Sequence, residues 1–125
     1  MNTVSYFEIQ ADDPQAAVKF YGEIFGWEFI KEERLPIEYY RIENAGPNGA
    51  LLKRPTPVPK GPAGTNAYVC SIQVENFDEV AKKILDYGGL VALEKFAVPG
   101  KCWQGYFLDN QSNTFGIFEV DESAR

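Results

Sequence analysis

The stretch SYFEIQADDPQAAVKFYGEIFGWEF, residues 5–29, decides the fold, because CSIQVENFDEVAKKILDYGGLVA, residues 70–92, follows the same plan. In the first copy, VSYFEIQA (residues 4–11) is rich in β-branched and aromatic side chains, and Glu8 and Gln10 alternate with Phe7, Ile9 and Ala11. Period-two alternation of this kind predicts a strand with one wetter face. Asp13 followed by Pro14 supplies an N-cap and a proline at the first helical position, Ala16, Ala17, Phe20, Tyr21, Ile24 and Phe25 recur at helical spacing, and Gly26 closes the helix. In the second copy AYVCSIQV is the strand, Asn76 and Glu79 form a capping box, Phe77, Val80, Ala81, Ile84 and Leu85 make one stripe, and Gly88-Gly89 is the stop. Ile72, Asn76, Lys82 and Gly89 each lie 63 residues after Ile9, Asp13, Lys19 and Gly26. A constant offset through strand, cap, helix and stop identifies an internal duplication.

Each helix is followed by three predicted strands. They are WEFIKEE, IEYYRIEN and NGALLKR in the first half, and LVALEKFAV, KCWQGYFLD and NTFGIFEV in the second, separated by turn residues such as Ala45-Gly46-Pro47-Asn48 and Pro99-Gly100. The expected fold class is α+β: two tandem β-α-β-β-β modules forming a curved mixed sheet around a concave cavity, with the helices on the outer face. One domain spans residues 1–125, with module 1 at about 1–53, a Pro/Gly-rich semi-rigid linker at about 54–65, module 2 at about 66–120 and a polar tail at 121–125 that is expected to fray. One helix covers only one face of four strands, so two open faces side by side would make the kind of concave site that takes small ligands.

Composition narrows the chemistry. A net charge of −6 with a pI near 4.6, and only Lys53-Arg54 and Lys82-Lys83 as paired cations, disfavour nucleic acid. No apolar run approaches a membrane span and the polar start lacks signal-peptide zones, so the chain reads as a cytoplasmic protein without a membrane partner. Cys70 and Cys102 have no neighbouring cysteine and read as buried free thiols. There is no histidine, which removes the ordinary catalytic triads, HExxH sites and imidazole metal ligands.

Paired β-α-β-β-β units carrying FEIQADDPQAAVKFYGEIFGWEF, IQVENFDEVAKKILDYGG, VPG and GYFLDNQSNTFGIFE resemble the vicinal oxygen chelate superfamily, which contains glyoxalase I, bleomycin resistance proteins and extradiol dioxygenases. The resemblance covers essentially the whole chain and is specific for fold rather than reaction. It implies that metal-dependent members place a histidine, glutamine or glutamate in the first strand of each module and a glutamate in the last, all facing the trough. Here the first-strand positions fall on Tyr6 and Val69, and the last-strand ones on Gly116 and around Leu52 or Lys53. None of these is a good ligand for a divalent metal, so no cofactor is expected. The alternative is a metal-dependent lyase, isomerase or dioxygenase whose ligands are displaced to Glu8, Gln73, Glu43 or Glu119. The resemblance also leaves a homodimer as an expected partner state.

If Tyr6 faces the trough, period two brings Glu8 and Gln10 with it, and the 63-residue offset brings Ser71 and Gln73 on the second module. The third strand presents either Tyr39 and Arg41 or Tyr40 and Ile42, and the seventh either Cys102, Gln104 and Tyr106 or Trp103, Gly105 and Phe107, with Phe118 beside Gly116 on the eighth. The expected ligand-binding residues are thus Tyr6, Glu8, Gln10, Arg41, Ser71, Gln73, Cys102, Gln104, Tyr106 and Phe118, and the ligand is a small organic molecule. Among them, Glu8 in an aromatic trough would be a general base raised by desolvation, or else a solvated strand carboxylate or one paired with Arg41. Arg41 would anchor an anion or form a structural ion pair. Tyr6, Tyr39, Tyr40, Trp103, Tyr106 and Phe118 would offer a stacking surface or simple cross-strand packing.

Overall fold

A computed structural model describes residues 6–55 and 69–125, so the linker expected at 54–65 lies outside the described residues beyond position 55. The elements are β1 (Tyr6–Ala11), α1 (Pro14–Phe25), β2 (Phe29–Lys31), β3 (Tyr39–Ile42), β4 (Asn48–Lys53), β5 (Ser71–Gln73), α2 (Phe77–Asp86), β6 (Leu90–Val98), β7 (Cys102–Leu108) and β8 (Thr114–Val120). The chain divides into two compact units between Val58 and Pro59. Each holds one β-α-β-β-β module with a four-stranded mixed sheet, in the orders β1-β4-β3-β2 and β5-β8-β7-β6. The expected α+β tandem is therefore what forms. In each sheet the first strand runs parallel to the last, and the other neighbours are antiparallel.

The caps work as their chemistry dictates. The Asp13 carboxylate accepts the Ala16 amide at 3.2 Å, Pro14 opens α1, and Gly26 ends it at φ 71°, a left-handed conformation that costs glycine nothing. Asn76 accepts the Glu79 amide at 3.0 Å. The orphan amide of Phe77 at the start of α2 is taken at 2.7 Å by Glu119 of β8, a tertiary addition to the expected capping box.

In module 1, α1 packs on β1 and β4 and buries Ala17, Phe20, Tyr21 and Ile24 with Ala11, Ile42 and Leu51. Trp27 lies flat on Tyr21, with ring centroids 5.3 Å apart, and meets Phe7 edge-on at 6.3 Å, closing the end of this core. In module 2, Phe77 and Ile84 of α2 bury against Phe107, Phe115 and Ile117. Gly105 leaves room for the Phe77 ring, since a Cβ there would sit 2.6 Å from it.

Hydrogen bonds hold the chain at both module ends. The Arg54 amide donates to the Ala11 carbonyl at 2.8 Å and its guanidinium to Gln10 O and Asp12, extending the β1–β4 pairing. Ala124 is wholly buried, its carbonyl accepts the Gly100 amide at 2.8 Å, and Asp121 accepts from Ser123 and from the Trp103 indole at 3.0 Å.

Those bonds, from Ser123 first and then Trp103, hold Asp121 below the usual carboxylate range. Because the folded value is lowered, its contribution to holding the tail is complete above the ordinary carboxylate pKa of about 3.9 and is lost as pH falls through the lower folded value. The Trp103 indole N–H resonance is accordingly expected to stay constant from neutral pH down to about 5 and to shift in acid with a midpoint below about 3.9. A midpoint at or above that value would contradict the docked tail.

Candidate functional site

In module 1, side chains alternate across the sheet, so the register decides which face each occupies. Pairing of Glu8 with Ala50, Ala50 with Arg41 and Arg41 with Ile30 places Tyr6, Glu8, Gln10, Ala50, Leu52, Tyr39 and Arg41 on the face away from α1. This resolves the third strand in favour of Tyr39 and Arg41. Tyr40 turns toward the helix, where burial and then a hydrogen bond to Glu38 raise its phenol pKa, with Gln15 of α1 also in contact. The middle of the open face, Ala50 and Leu52, is buried, whereas Tyr6, Glu8 and Arg41 are exposed.

Tyr6, expected as a site residue, sits at the centre of a small network. Its hydroxyl donates to the Glu8 carboxylate at 2.9 Å and lies 2.6 Å from the Tyr39 hydroxyl. Desolvation of that hydroxyl, then the bonds to Tyr39 and Glu8, push the phenol far above its ordinary range, so it keeps its proton. Glu8 is exposed, and its carboxylate accepts the Tyr6 hydroxyl. Arg41 donates to Glu32 and, at 3.1 Å, to Glu43. The structural ion pair is thus the arrangement found, and the guanidinium is already engaged by two carboxylates.

In module 2, Ser71 and Gln73 pair with Gly116 and Phe118, which pair in turn with Tyr106 and Gln104, while Cys102 pairs with Val120. The seventh strand therefore presents Cys102, Gln104 and Tyr106 away from α2; Cys102 is half-buried and Cys70 exposed, so neither is the buried thiol expected, because Cys102 lies on the open face and Cys70 precedes β5. Trp103, one of the proposed stacking residues, is on the helix side with Lys95 4.9 Å from its ring centroid. Gln104 donates to Ser71 Oγ at 3.2 Å, and Tyr106 stacks on Phe96 with centroids 6.3 Å apart. An open hollow of about 440 Å³ at the end of this module is lined by Gln73, Val74, Glu75, Glu119 and Val120.

The registers also correct one position. Gly116 pairs with Ser71, and the residue that stands 63 before Ser71, Glu8, pairs with Ala50. The last-strand counterpart of Gly116 is therefore Ala50, not Leu52 or Lys53, because the offset between modules grows from 63 in the first strand to 66 in the last. Lys53 points the other way and donates to the Asp12 carbonyl. Of the displaced ligands, Glu119 faces the helix as the cap of Phe77, and Glu43 and Glu8 are held by Arg41 and Tyr6. Among the described residues no three Cys, Asp or Glu side chains gather to hold a metal ion. A Cβ at Gly116 would lie 2.4 Å from Ser71 Oγ and 2.7 Å from Gln104 Nε2, so the space a ligand side chain would enter is filled.

The chain belongs to the Glyoxalase/Bleomycin resistance protein/Dioxygenase superfamily, whose family model matches residues 3–117. It is 26% identical over 124 residues to CFP32, a proposed glyoxylase of Mycobacterium bovis, covering 95% of this chain and 46% of the relative. The chain thus spans about half the length of the curated relatives it matches. Among solved structures it resembles the fosfomycin resistance protein FosX of Listeria monocytogenes, with a TM-score of 0.75 at 17% identity over 97% of this chain and 93% of FosX. A mutant of FosX was solved with Mn(II) and 1S,2S-dihydroxypropylphosphonic acid. A glyoxalase/bleomycin resistance protein/dioxygenase family enzyme of Burkholderia phytofirmans gives a TM-score of 0.72 at 19% identity, over 94% of this chain and 98% of that one. No helix among the described residues is long and apolar enough to cross a membrane.

Proposed function

We propose that this superfamily member binds a small organic molecule on its open sheet faces without a metal ion. The observation that carries the reading is the set of side chains at the four family ligand positions: Tyr6, Ala50, Val69 and Gly116. Three of these offer no donor atom, and the phenol of Tyr6 retains its proton. FosX shows that a protein of this fold can hold Mn(II) and a phosphonate. The residues here do not fit such an ion. They favour contact through hydroxyl, amide and carboxylate groups beside aromatic rings: Tyr6, Glu8 and Tyr39 on one face, and Ser71, Gln73, Gln104, Tyr106 and Phe118 on the other.

Elemental analysis of the purified protein is expected to find no stoichiometric metal. Addition of Mn(II), Ni(II), Zn(II) or Fe(II) is expected to move its melting temperature by less than about 1 °C, since a ligand that does not bind the native state cannot stabilise it. One equivalent of any of these metals, or a rise of several degrees, would replace this reading with a metal-assisted reaction.

A further inference from the structure

We infer that the β1–β3 part of the module 1 open face takes the cationic end of its ligand, an alkylammonium or protonated amine, and rejects anions. This rests on the small-molecule reading above and names the ligand class for one face. The argument is a count of protons. A phenol has one O–H to give, and a carboxylate has none. Tyr6 gives its proton to Glu8 at 2.9 Å, so the 2.6 Å contact between the two phenols requires Tyr39 to donate to Tyr6. Both hydroxyl protons are then used within the cluster. What remains toward solvent is acceptor capacity: the lone pairs of Tyr39 and the other oxygen of Glu8.

Arg41, two residues along β3 from Tyr39, does not reverse this. Arg41 is bridged to Glu32 and Glu43, so the group sums to three carboxylates against one guanidinium. The bordering Gln10 and Asn48 are neutral amides. An incoming phosphonate or carboxylate would meet this negative excess without a free hydroxyl donor from the Tyr6–Tyr39 pair. An ammonium would gain charge-assisted contact with Glu8 and could lie against the exposed ring of Tyr6, 43% of whose surface is accessible. The raised phenol of Tyr6 fits the same picture, because it keeps the proton that organises the chain Tyr39 to Tyr6 to Glu8.

The test uses three probes of matched shape, benzylammonium, benzyl alcohol and benzoate, titrated at neutral pH into the isotopically labelled full chain with backbone amide shifts as the readout. The cation is expected to bind at least about tenfold more tightly than the alcohol, with shifts centred on β1 and β3, and benzoate more weakly than either; tenfold corresponds to about 1.4 kcal/mol. Glu8→Gln, an exposed substitution, is expected to reduce the cation-to-alcohol affinity ratio to about threefold or less. Equal affinity for cation and alcohol, tighter binding of benzoate, or a ratio untouched by Glu8→Gln would overturn this inference while leaving the small-molecule reading in place. Failure of all three probes to bind would remove both.

Discussion

Phe20→Ala is expected to destabilise the protein by about 3–5 kcal/mol, a large share of the roughly 5–15 kcal/mol that holds a domain of ordinary stability together. Phe20 is only 1% exposed and sits at the centre of the α1 stripe, edge-on to Tyr21 at 5.1 Å. Its removal loses the transfer energy of the ring and leaves a cavity in a core whose other buried members, Ala11, Ala17 and Leu51 among them, lie in strands and a helix fixed by their own hydrogen bonds. Urea denaturation would read the loss as a lower midpoint with a similar slope. Leu90→Ala, at a position 61% exposed, is the control and is expected to change stability by no more than about 0.5 kcal/mol. Comparable losses at the two positions would mean that α1 does not pack on its sheet as described.

The second large effect is at Gly116. Restoring the family carboxylate with Gly116→Glu is expected to cost about 1–3 kcal/mol and to bring no metal with it. The contacts that produce the cost arise at the Cβ itself, from Ser71 Oγ at 2.4 Å, Gln104 Nε2 at 2.7 Å and Tyr106 Cε1 at 3.1 Å, so Gly116→Ala should show most of the loss. Ser71→Ala in the same chain should recover part of it, because it removes the atom nearest the new Cβ. A coupling of about 0.5–3 kcal/mol between the two positions would be the signature of direct contact. A stable Gly116→Glu protein that took up one equivalent of Mn(II) would show that this carboxylate alone is what the site lacks, and would overturn the expectation that its space is filled.

The duplication and the elements were readable from residues 5–29 and 70–92 because their signals are local. Asp13 and Asn76 satisfy amides three residues ahead, Gly26 adopts a conformation other residues avoid, and the 3.6-residue stripe of α1 and the two-residue alternation of β1 are properties of short segments. The open-face assignment of Tyr6, Glu8, Ser71 and Gln73 came from the same alternation, since polar residues fall on one side of each first strand. Tyr39 and Tyr40 defeated it, as two adjacent tyrosines suit either face of a strand. Only the pairing of Arg41 with Ala50 and the 2.6 Å contact of Tyr39 with Tyr6 separates them. Trp103 and Glu119 read as site candidates for a similar reason: an aromatic or a carboxylate in a strand carries no mark of whether it faces a ligand, a helix end or a carboxylate such as Asp121.

By itself, then, the sequence determined that this protein is two β-α-β-β-β modules without histidine chemistry, because caps, turns and periodicities act over a few residues and are written in the residues themselves. The tertiary structure decided that Ala50 is the counterpart of Gly116, that Arg41 is spent on Glu32 and Glu43, that Tyr39, Tyr6 and Glu8 form one chain of hydrogen bonds, and that the tail docks through Asp121 and Ala124. Each of those depends on which strand or segment lies alongside another and in what register, a choice made by packing between residues far apart in the chain.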